Sequence, residues 1–419
     1  MRNRFMSCKN VLRFAVAGLL FAGSAGLIPA RAAAADDAIS IGVVLPITGK
    51  EGKPGQYQKE GIETAVKKIN DAGGIFVKDK GKKLPIKIVF YDDESDAAKS
   101  ASLAERCMTS DNVTAVLGGY STTLGEAESV MADRHQTPWI TTGAGATSTF
   151  SRGYKFAFGA LSPITVLGSD TAAFLGNMVD QGKLKKGLTI AMVLENTDHG
   201  IDYGNGINQW IAKHPGYFKV VFSEKFEYPG STDFSGILQK VKSAKADIFL
   251  ADAHLADYIT MHRQYLQAGL YHQMVSYGAR GPDDAARKAL GAGTDFIFAG
   301  LWWSKKLTYP QVAQFVNDYK ALTGHEPDSW YAAPAYDSMR ILAQAIEKAG
   351  TLNHVKVRDA LRKAELKDSI LPSGTLKFGP NGQSFYPFLI VQNKPGDKVD
   401  IILPKDVTTG DAVAPMPKR

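Results

Sequence analysis

The stretch AISIGVVLP at residues 38–46 begins a strand–helix–strand unit that decides the fold. Its run of β-branched and small apolar residues predicts a buried strand, and a glycine-rich loop follows it. The next segment places Ile62, Val66 and Ile69 at the spacing of a helix face, and IKIVFYDD at 86–93 returns to a strand pattern. A strand, a helix and a second strand in this order are typical of a parallel sheet in an α/β protein.

The same alternation continues along most of the chain, and it begins again near residue 187. Further strands are predicted at 113–120, 137–144, 154–161, 187–195, 218–228, 246–253, 274–279 and 295–303. Further helices are predicted at 96–109, 204–213, 310–322, 330–349 and 353–364. A hairpin is predicted within 374–392, around Asn381-Gly382. Two similar α/β runs in a chain of this length indicate two domains.

The first 35 residues have the order of an export signal. A basic start is followed by the apolar run FAVAGLLFAGSAGLI at 14–28, and small residues around Ala33 and Ala35 suit a signal peptidase. The apolar run is shorter than the roughly 20 residues that a membrane-spanning helix needs. We therefore expect a cleaved signal peptide at residues 1–35 and a soluble periplasmic protein; the alternative is an uncleaved membrane anchor.

The charge of the chain is concentrated in that predicted signal. The whole chain has 49 Lys and Arg residues against 42 Asp and Glu, for a net charge of +7. Five of the basic residues and none of the acidic ones precede Asp36, so the rest has a net charge of only +2. No nucleic-acid partner is indicated. Cys107 is the one cysteine that remains after cleavage, so no intramolecular disulfide is expected, and its helical context predicts burial.

Motifs of catalysis are missing from the sequence. It contains no GxxxxGK[ST] loop, no HExxH, no CxxC and no GxSxG. His254 and His262 are two helical turns apart, but we interpret them as ordinary helix residues and not as metal ligands. The sequence therefore predicts a protein that is not an enzyme and that holds no cofactor and no metal.

Two polar turns between a strand and a helix stand out instead. They are GGYSTTLGEA at 118–127 and TTGAGATST at 141–149. Ligands of open parallel sheets bind beyond the carboxyl ends of the strands, where free N–H groups and hydroxyls suit an anion. Ser121, Thr122 and Thr123 lie at such an end. The alternative is plain helix capping, because Thr123-x-x-Glu126 has the pattern of a capping box.

An ordered series of segments resembles one protein family over nearly the whole chain after the signal. The series begins with IGVVLPITGKEGKPGQ (41–56), GIETAVKKINDAGGI (61–75) and VFYDDESDAAKS (89–100). It continues with VTAVLGGYSTTLGEA, PWITTGAGAT, DYGNG, TDFSGILQKVKSAKADIFL and YDSMRILAQAIEKAG. These segments resemble the periplasmic leucine/isoleucine/valine-type binding proteins of ABC transporters. INDAGGI followed by YDDESD is the most specific part.

The resemblance implies the fold of a type I periplasmic binding protein. Two Rossmann-like α/β lobes would be joined by three crossings and would close on a ligand like a Venus flytrap. Lobe 1 would comprise 38–162 and 302–372, and lobe 2 would comprise 163–301 and 373–405. Residues 406–419 would form a flexible tail.

The resemblance also implies a function. Such a protein captures a small carboxylate-bearing ligand, an amino acid or an aromatic or other organic acid, and delivers it to an ABC permease with its ATPase subunits at the inner membrane. We expect a monomer. The alternative function is a ligand-sensing or regulatory protein of the same bilobal fold that docks on a receptor.

The family's ligand contacts carry over only where residues match. The hydroxyl that holds the ligand carboxylate falls on Ser121, beside Thr122, and the backbone contacts fall on Gly143 and Ala144. A family threonine falls near Gly145, for which Thr142 or Thr147 would substitute. Two positions of the second lobe fall on Tyr203 and His254.

At the remaining family contact, the charge of the side chain is reversed. The family's acidic partner of the ligand amino group falls near Arg280. An ammonium enclosed between the lobes needs an anionic partner, and an arginine cannot supply one. The sequence therefore predicts that the ligand is a carboxylic acid without an α-amino group, for example an aromatic acid. The predicted aromatic slot consists of His254, Tyr203, Tyr277, Trp302 and Tyr331. Two alternatives stay open. A shift of three or four residues in the alignment with the family would bring Asp283 or Asp284 into the pocket. Independently, Trp302 and Trp303 would be core residues and not ligand contacts.

Overall fold

The computed structural model describes residues 38–228 and 231–418, so the predicted export signal lies outside the described residues. The strands are β1 (Ile39–Leu45), β2 (Ile75–Val77), β3 (Lys82–Leu84), β4 (Ile86–Asp92), β5 (Ala115–Gly118), β6 (Trp139–Thr141), β7 (Ala157–Gly159), β8 (Leu188–Glu195), β9 (Phe218–Phe226), β10 (Ile248–Asp252), β11 (Met274–Tyr277), β12 (Phe298–Leu301), β13 (Glu365–Leu366), β14 (Leu376–Lys377), β15 (Leu389–Lys394) and β16 (Lys398–Leu403). The α-helices are α1 (Gly52–Asp71), α2 (Ala97–Thr109), α3 (Thr122–Arg134), α4 (Thr147–Ser151), α5 (Ile164–Asp180), α6 (Asp198–Lys213), α7 (Ser235–Ala244), α8 (Leu255–Gln267), α9 (Asp284–Leu290), α10 (Pro310–Thr323), α11 (Ala332–Ala349) and α12 (His354–Leu361). Within 38–228 and 231–418, every helix is too short or too polar to cross a membrane.

The first lobe is built on a five-stranded parallel sheet in the order β4-β1-β5-β6-β7. Helix α1 ends at Asp71, and the following Gly73 and Gly74 have φ angles of 89° that let the chain turn back toward the sheet. Helices α1 and α11 pack closely on one face, because a side chain at Gly61 would come within 2.2 Å of the Ala332 carbonyl. Cys107 of α2 is fully buried, as predicted.

The second lobe is built on a seven-stranded sheet in the order β16-β15-β12-β11-β10-β8-β9. Strands β8 to β12 run parallel to their neighbours, and β15 and β16 add an antiparallel edge beside β12. The central strands β8 and β10 are almost entirely buried on both faces, as apolar runs of parallel strands require.

Three crossings join the two sheets. The chain leaves the first sheet after β7, returns after β12, and leaves again between α12 and β15. The predicted two-lobe α/β fold with three crossings is confirmed. The carboxyl ends of the parallel strands in both sheets hold the candidate site, whereas the residue bounds that we assign to the lobes stay a prediction.

Some local predictions differ from the structure. Helix α6 begins at Asp198, six residues before the predicted start, because the Thr197 side chain caps it at Gly200 N–H. In the predicted hairpin, Asn381-Gly382 does form a turn, with a single bridge between Phe378 and Ser384, but β15 pairs with β12 and β16. The segment predicted to be a flexible tail makes contacts: Met416 is buried and donates its N–H to the Gln273 carbonyl.

Candidate functional site

Ser121 and Thr122 lie where β5 passes into α3, at the carboxyl edge of the first sheet. Ser121 is the N-cap residue of α3, yet its side chain makes no capping bond and lies within hydrogen-bonding reach of Glu51. The Thr122 hydroxyl is buried without a hydrogen-bond partner in the described part of the chain. The helix begins at Thr122, so the capping box predicted from Thr123 does not form. The unpartnered Thr122 hydroxyl next to a helix N-terminus is therefore available to an anion, whereas the Ser121 hydroxyl already has Glu51 within reach.

Thr142, Gly143 and Ala144 follow β6 at the same edge. A side chain at Gly143 would meet the Tyr120 ring at 2.3 Å, so the backbone here approaches Tyr120 as only glycine allows. The N–H groups of Gly143 and Ala144 both donate to the Thr141 hydroxyl, at 3.2 and 2.8 Å. The Thr142 hydroxyl donates to Gln58 at 2.9 Å. These groups have protein partners, and a ligand would have to replace them.

Arg280 lies in the turn after β11 and is almost fully buried. Its Nη2 is 3.4 Å from the Tyr120 hydroxyl of the first lobe, and its guanidinium lies 5.5 and 5.8 Å from the ring centroids of Trp330 and Tyr331. Its Nε and Nη1 have no hydrogen-bond partner among the described residues. Because an arginine stays charged in proteins, these two donors leave a buried cation that is incompletely satisfied.

His254 lies in the cleft between the lobes, at the start of α8. Its Nδ1 is 2.6 Å from Oε2 of Glu195, and its Nε2 is 3.5 Å from Oε1 of Glu51 in the first lobe. Burial opposes the charged form of His254, but Glu195 and Glu51 raise its pKa to about 9. Burial likewise acts against a charged Glu195, yet His254 and His199 lower its pKa to about 2. The two residues form a buried ion pair.

A second histidine–carboxylate pair lies beside the first. Nδ1 of His199, in the first turn of α6, is 2.5 Å from Oδ2 of Asp252, the last residue of β10. The His199 and His254 rings are 5.7 Å apart. Glu195 is the last residue of β8, so both acids occupy the carboxyl ends of neighbouring strands.

Several side chains bridge the two lobes near these residues. Lys50 pairs with Asp257 at 3.1 Å, the Tyr57 hydroxyl donates to Asp284 at 3.0 Å, and the Tyr228 hydroxyl donates to Glu51. A cavity of about 430 Å³ at the mouth of the cleft is lined by Ser121, Glu51, Tyr228 and neighbouring residues. The lobes therefore touch around the cleft, as in a closed form of the protein.

Three residues of the predicted aromatic slot make contacts with other groups of the protein. The Tyr203 hydroxyl points to Thr171 of α5 at 3.4 Å, inside the second lobe. Tyr277 packs on Tyr258 with ring centroids 4.3 Å apart. Trp302 donates to the Ser162 carbonyl at a crossing between the lobes, in line with the core interpretation of this residue. Around Arg280 and His254 the structure brings together Tyr331, which the prediction included, with Tyr120, Tyr228 and Trp330.

The alternative alignment would place Asp283 or Asp284, and not Arg280, in the pocket, and the structure shows the contacts of these two acids. Asp283 caps α9 at Ala285 N–H, and Asp284 binds Tyr57 and Lys288. Arg280 contacts Tyr120, which adjoins Ser121, and the buried Asp283 lies close enough to Arg280 and Tyr331 to interact with both.

Sequence reasoning missed the charged residues of the cleft, namely Glu51, Glu195, His199 and Asp252. One signal was present in the sequence. Glu195 and Asp252 each end a buried strand, and His199 follows Glu195 by four residues.

Comparison with known proteins gives consistent results. A family model described as "Periplasmic binding protein" matches residues 38–398. Over 386 residues the chain is 26% identical to the Leu/Ile/Val-binding protein homolog 7 of Brucella abortus (strain 2308), covering 87% of this chain and 91% of the relative.

Solved structures show the same fold. A branched-chain amino acid transporter substrate-binding protein from Streptococcus pneumoniae, in complex with isoleucine, has a TM-score of 0.75 at 22% identity, over 88% of this chain and 100% of the other. A solute-binding protein of an ABC transporter from Rhodopseudomonas palustris BisB5, in complex with 3,4-dihydroxybenzoic acid, has a TM-score of 0.73 at 20% identity, over 90% and 99% of the two chains.

Proposed function

Because the chain belongs to the periplasmic binding protein family, we propose that it is an exported solute-binding protein that encloses a small carboxylate ligand and delivers it to an ABC permease. The ligand lies between the two lobes, with its carboxylate on Ser121 and Thr122 at the N-terminus of α3. Closure of the lobes brings the charged groups of the second lobe onto the other end of the ligand.

The observation that carries the proposal is the buried guanidinium of Arg280. It lies at the junction of the lobes, contacts Tyr120 next to Ser121, and keeps two N–H donors without a partner among the described residues. A buried cation with free donors favours an anionic or strongly hydrogen-bond-accepting ligand, and a planar guanidinium suits a carboxylate.

The same residue favours an acid without an α-amino group. An ammonium next to Arg280 would place two positive charges side by side in a buried site, which is costly. The rings of Tyr120, Trp330 and Tyr331 surround Arg280 and provide apolar walls for a flat ligand. The Rhodopseudomonas palustris neighbour, solved with 3,4-dihydroxybenzoic acid, shows that this fold accommodates such an acid.

A thermal-shift screen followed by calorimetric titration tests the ligand class. The panel contains leucine, valine, phenylalanine, benzoate-type acids and keto acids. A ligand that binds the folded protein raises its melting temperature, so we expect a shift with plain acids and none with leucine. Micromolar binding of leucine without any response to plain acids would refute the ligand class.

Delivery to a permease needs a separate experiment. Uptake of the radiolabelled ligand by cells that lack this protein should be restored by the wild-type chain and not by an Arg280→Met variant. Restoration of uptake by both proteins would contradict the proposed role. Small-angle scattering checks the closure, since the radius of gyration should decrease when ligand is added.

A further inference from the structure

The second lobe holds a cluster of ligating side chains that the carboxylate site does not use. Glu195, His199 and Asp252 each offer one ligand atom, and the three atoms lie within 4.8 Å of one another. All three residues are buried. They lie at the carboxyl ends of β8 and β10 and in the first turn of α6, and the carboxyl edge of a parallel sheet is where α/β folds place ligands.

The bonds within the cluster leave coordinating atoms free. Oδ1 of Asp252 and Nε2 of His199 are buried without hydrogen-bond partners in the described ranges. Oε1 of Glu195 accepts from Thr197 at 2.6 Å, and Oε2 accepts from His254. A carboxylate oxygen has two lone pairs, so Glu195 keeps acceptor capacity.

Glu195 and Asp252 place two buried carboxylates beside each other, at the ends of the neighbouring strands β8 and β10. A divalent cation among the three side chains neutralises both acids at once. Gly278 keeps the approach to Asp252 open, because a side chain there would come within 2.3 Å of Oδ1.

We propose that Glu195, His199 and Asp252 bind a first-row divalent metal ion such as Zn²⁺ in the second lobe. One imidazole nitrogen and two carboxylate oxygens form a ligand set that suits Zn²⁺ and Co²⁺ better than the all-oxygen sites of Ca²⁺ and Mg²⁺. Nδ1 of His199 lies 2.5 Å from Oδ2 of Asp252, in a hydrogen bond that a metal ion would replace, and 4.0 Å from Oε1 of Glu195. Tetrahedral zinc places its ligand atoms roughly 3.4 Å apart, so shifts of about an ångström suffice.

His254 acts on the ion through Glu195. Its bond to Oε2 fixes the orientation of the carboxylate and leaves Oε1 for the metal, as carboxylate–histidine contacts around metal ions do. Three protein ligands leave a coordination position open to water or to a ligand in the cleft.

The test uses untagged protein, treated with EDTA and then freed of the chelator. Calorimetric titration with ZnCl₂ should show about one equivalent bound. Co²⁺ should give the intense visible absorption bands of a four- or five-coordinate ion. Mg²⁺ and Ca²⁺ should give neither a heat of binding nor a melting-temperature shift.

Variants assign the site. Asp252→Asn and His199→Gln should each weaken Zn²⁺ binding by roughly a hundredfold or more, and His254→Gln by roughly tenfold to a hundredfold. The matched control is His135→Gln, which removes a histidine that lies 2.8 Å from Glu105, outside the cleft. Its affinity for Zn²⁺ should not change.

Several outcomes would overturn the proposal. One is no Zn²⁺ or Co²⁺ binding by the wild type at millimolar metal, and another is unchanged affinity in the Asp252→Asn variant. If the variants do not fold, a weak octahedral Co²⁺ spectrum of the wild type also overturns it. Titration of the metal-free protein with organic acids tests the proposed transport function independently, because that experiment contains no metal.

Discussion

The two faces of the cleft use different kinds of polar group. The first lobe presents mainly hydroxyls and a helix N-terminus, through Ser121 and Thr122, with Glu51 as its buried carboxyl group. The second lobe presents buried charges, among them Arg280 and the His254–Glu195 pair. Neutral donors can bind a carboxylate on many small acids, whereas enclosed charges accept only a ligand whose charge complements them. The difference suggests that the first lobe binds the common part of a ligand and that the second lobe selects among ligands.

The largest expected effect comes from removing the charge of the second lobe. Arg280→Met keeps an unbranched, flexible side chain and deletes its charge and its donors, so affinity for the acid ligand should fall by roughly a hundredfold or more. Calorimetry measures the loss. Arg358→Met is the control, because Arg358 binds Asp359 at the surface, away from the cleft. Equal affinities of the wild type and the Arg280→Met variant for the acid would show that the second lobe does not select the ligand through this charge.

The corresponding change in the first lobe should be smaller. Ser121→Ala removes one hydroxyl, and we expect binding to weaken on the order of tenfold to a hundredfold, since a hydrogen bond to a charged group is worth about 1.5–3 kcal/mol. The melting temperature of the ligand-free protein should change little, because this side chain makes no capping bond.

Asn353→Ala is the control for Ser121→Ala, because it should change stability and leave ligand affinity constant. The Asn353 side chain caps α12 at Lys356 N–H, so its loss should lower stability by about 1 kcal/mol without affecting the ligand. An early-melting Ser121→Ala variant with normal affinity would show that Ser121 supports the fold and not the ligand.

The lobes should also differ in their response to pH. The pKa of His254 is raised from 6.5 to about 9, so its contribution to stability is complete below pH 6.5 and is lost as the pH rises through 9. A shift of this size corresponds to about 3 kcal/mol. Melting curves of metal-free protein between pH 6.5 and 9 should show this loss, and His254→Gln should flatten it.

The first lobe has its own titrating group in Asp93. Burial raises its pKa from 3.8 to about 7, so its contribution is complete below pH 3.8 and is lost as the pH rises through 7. Asp93→Asn should flatten the stability curve between pH 4 and 7 and leave the curve above pH 7 unchanged. A single variant that flattened both ranges would show that the two lobes do not titrate separately.

The smallest effect is expected at Tyr203, which the family resemblance placed in the pocket. Its hydroxyl contacts Thr171 in the second lobe, so Tyr203→Phe should change ligand affinity by less than about twofold. Calorimetry on the same ligand gives the comparison with Arg280→Met. A tenfold loss of affinity would return Tyr203 to the ligand site.

The sequence by itself determined most of the alternation of strands and helices and the division into two α/β runs, although it did not indicate α5. The hydrophobic pattern of a segment indicates its secondary structure without knowledge of its partners. Examples are the apolar strands β1 and β8 and the amphipathic helix α1. The sequence also indicated that the turn at Ser121 lies at a ligand-binding edge, because the carboxyl end of a parallel strand is defined by chain order.

Only the tertiary structure decided which polar side chains meet. His254 and Glu195 are 59 residues apart in sequence, and Arg280 and Tyr120 are 160 apart, so no local pattern relates them. An acid at the end of a strand looks the same whether it caps a helix or lies buried beside a histidine. Burial and partners distinguish the two cases, and both depend on how the strands of one sheet are ordered and how the two lobes meet.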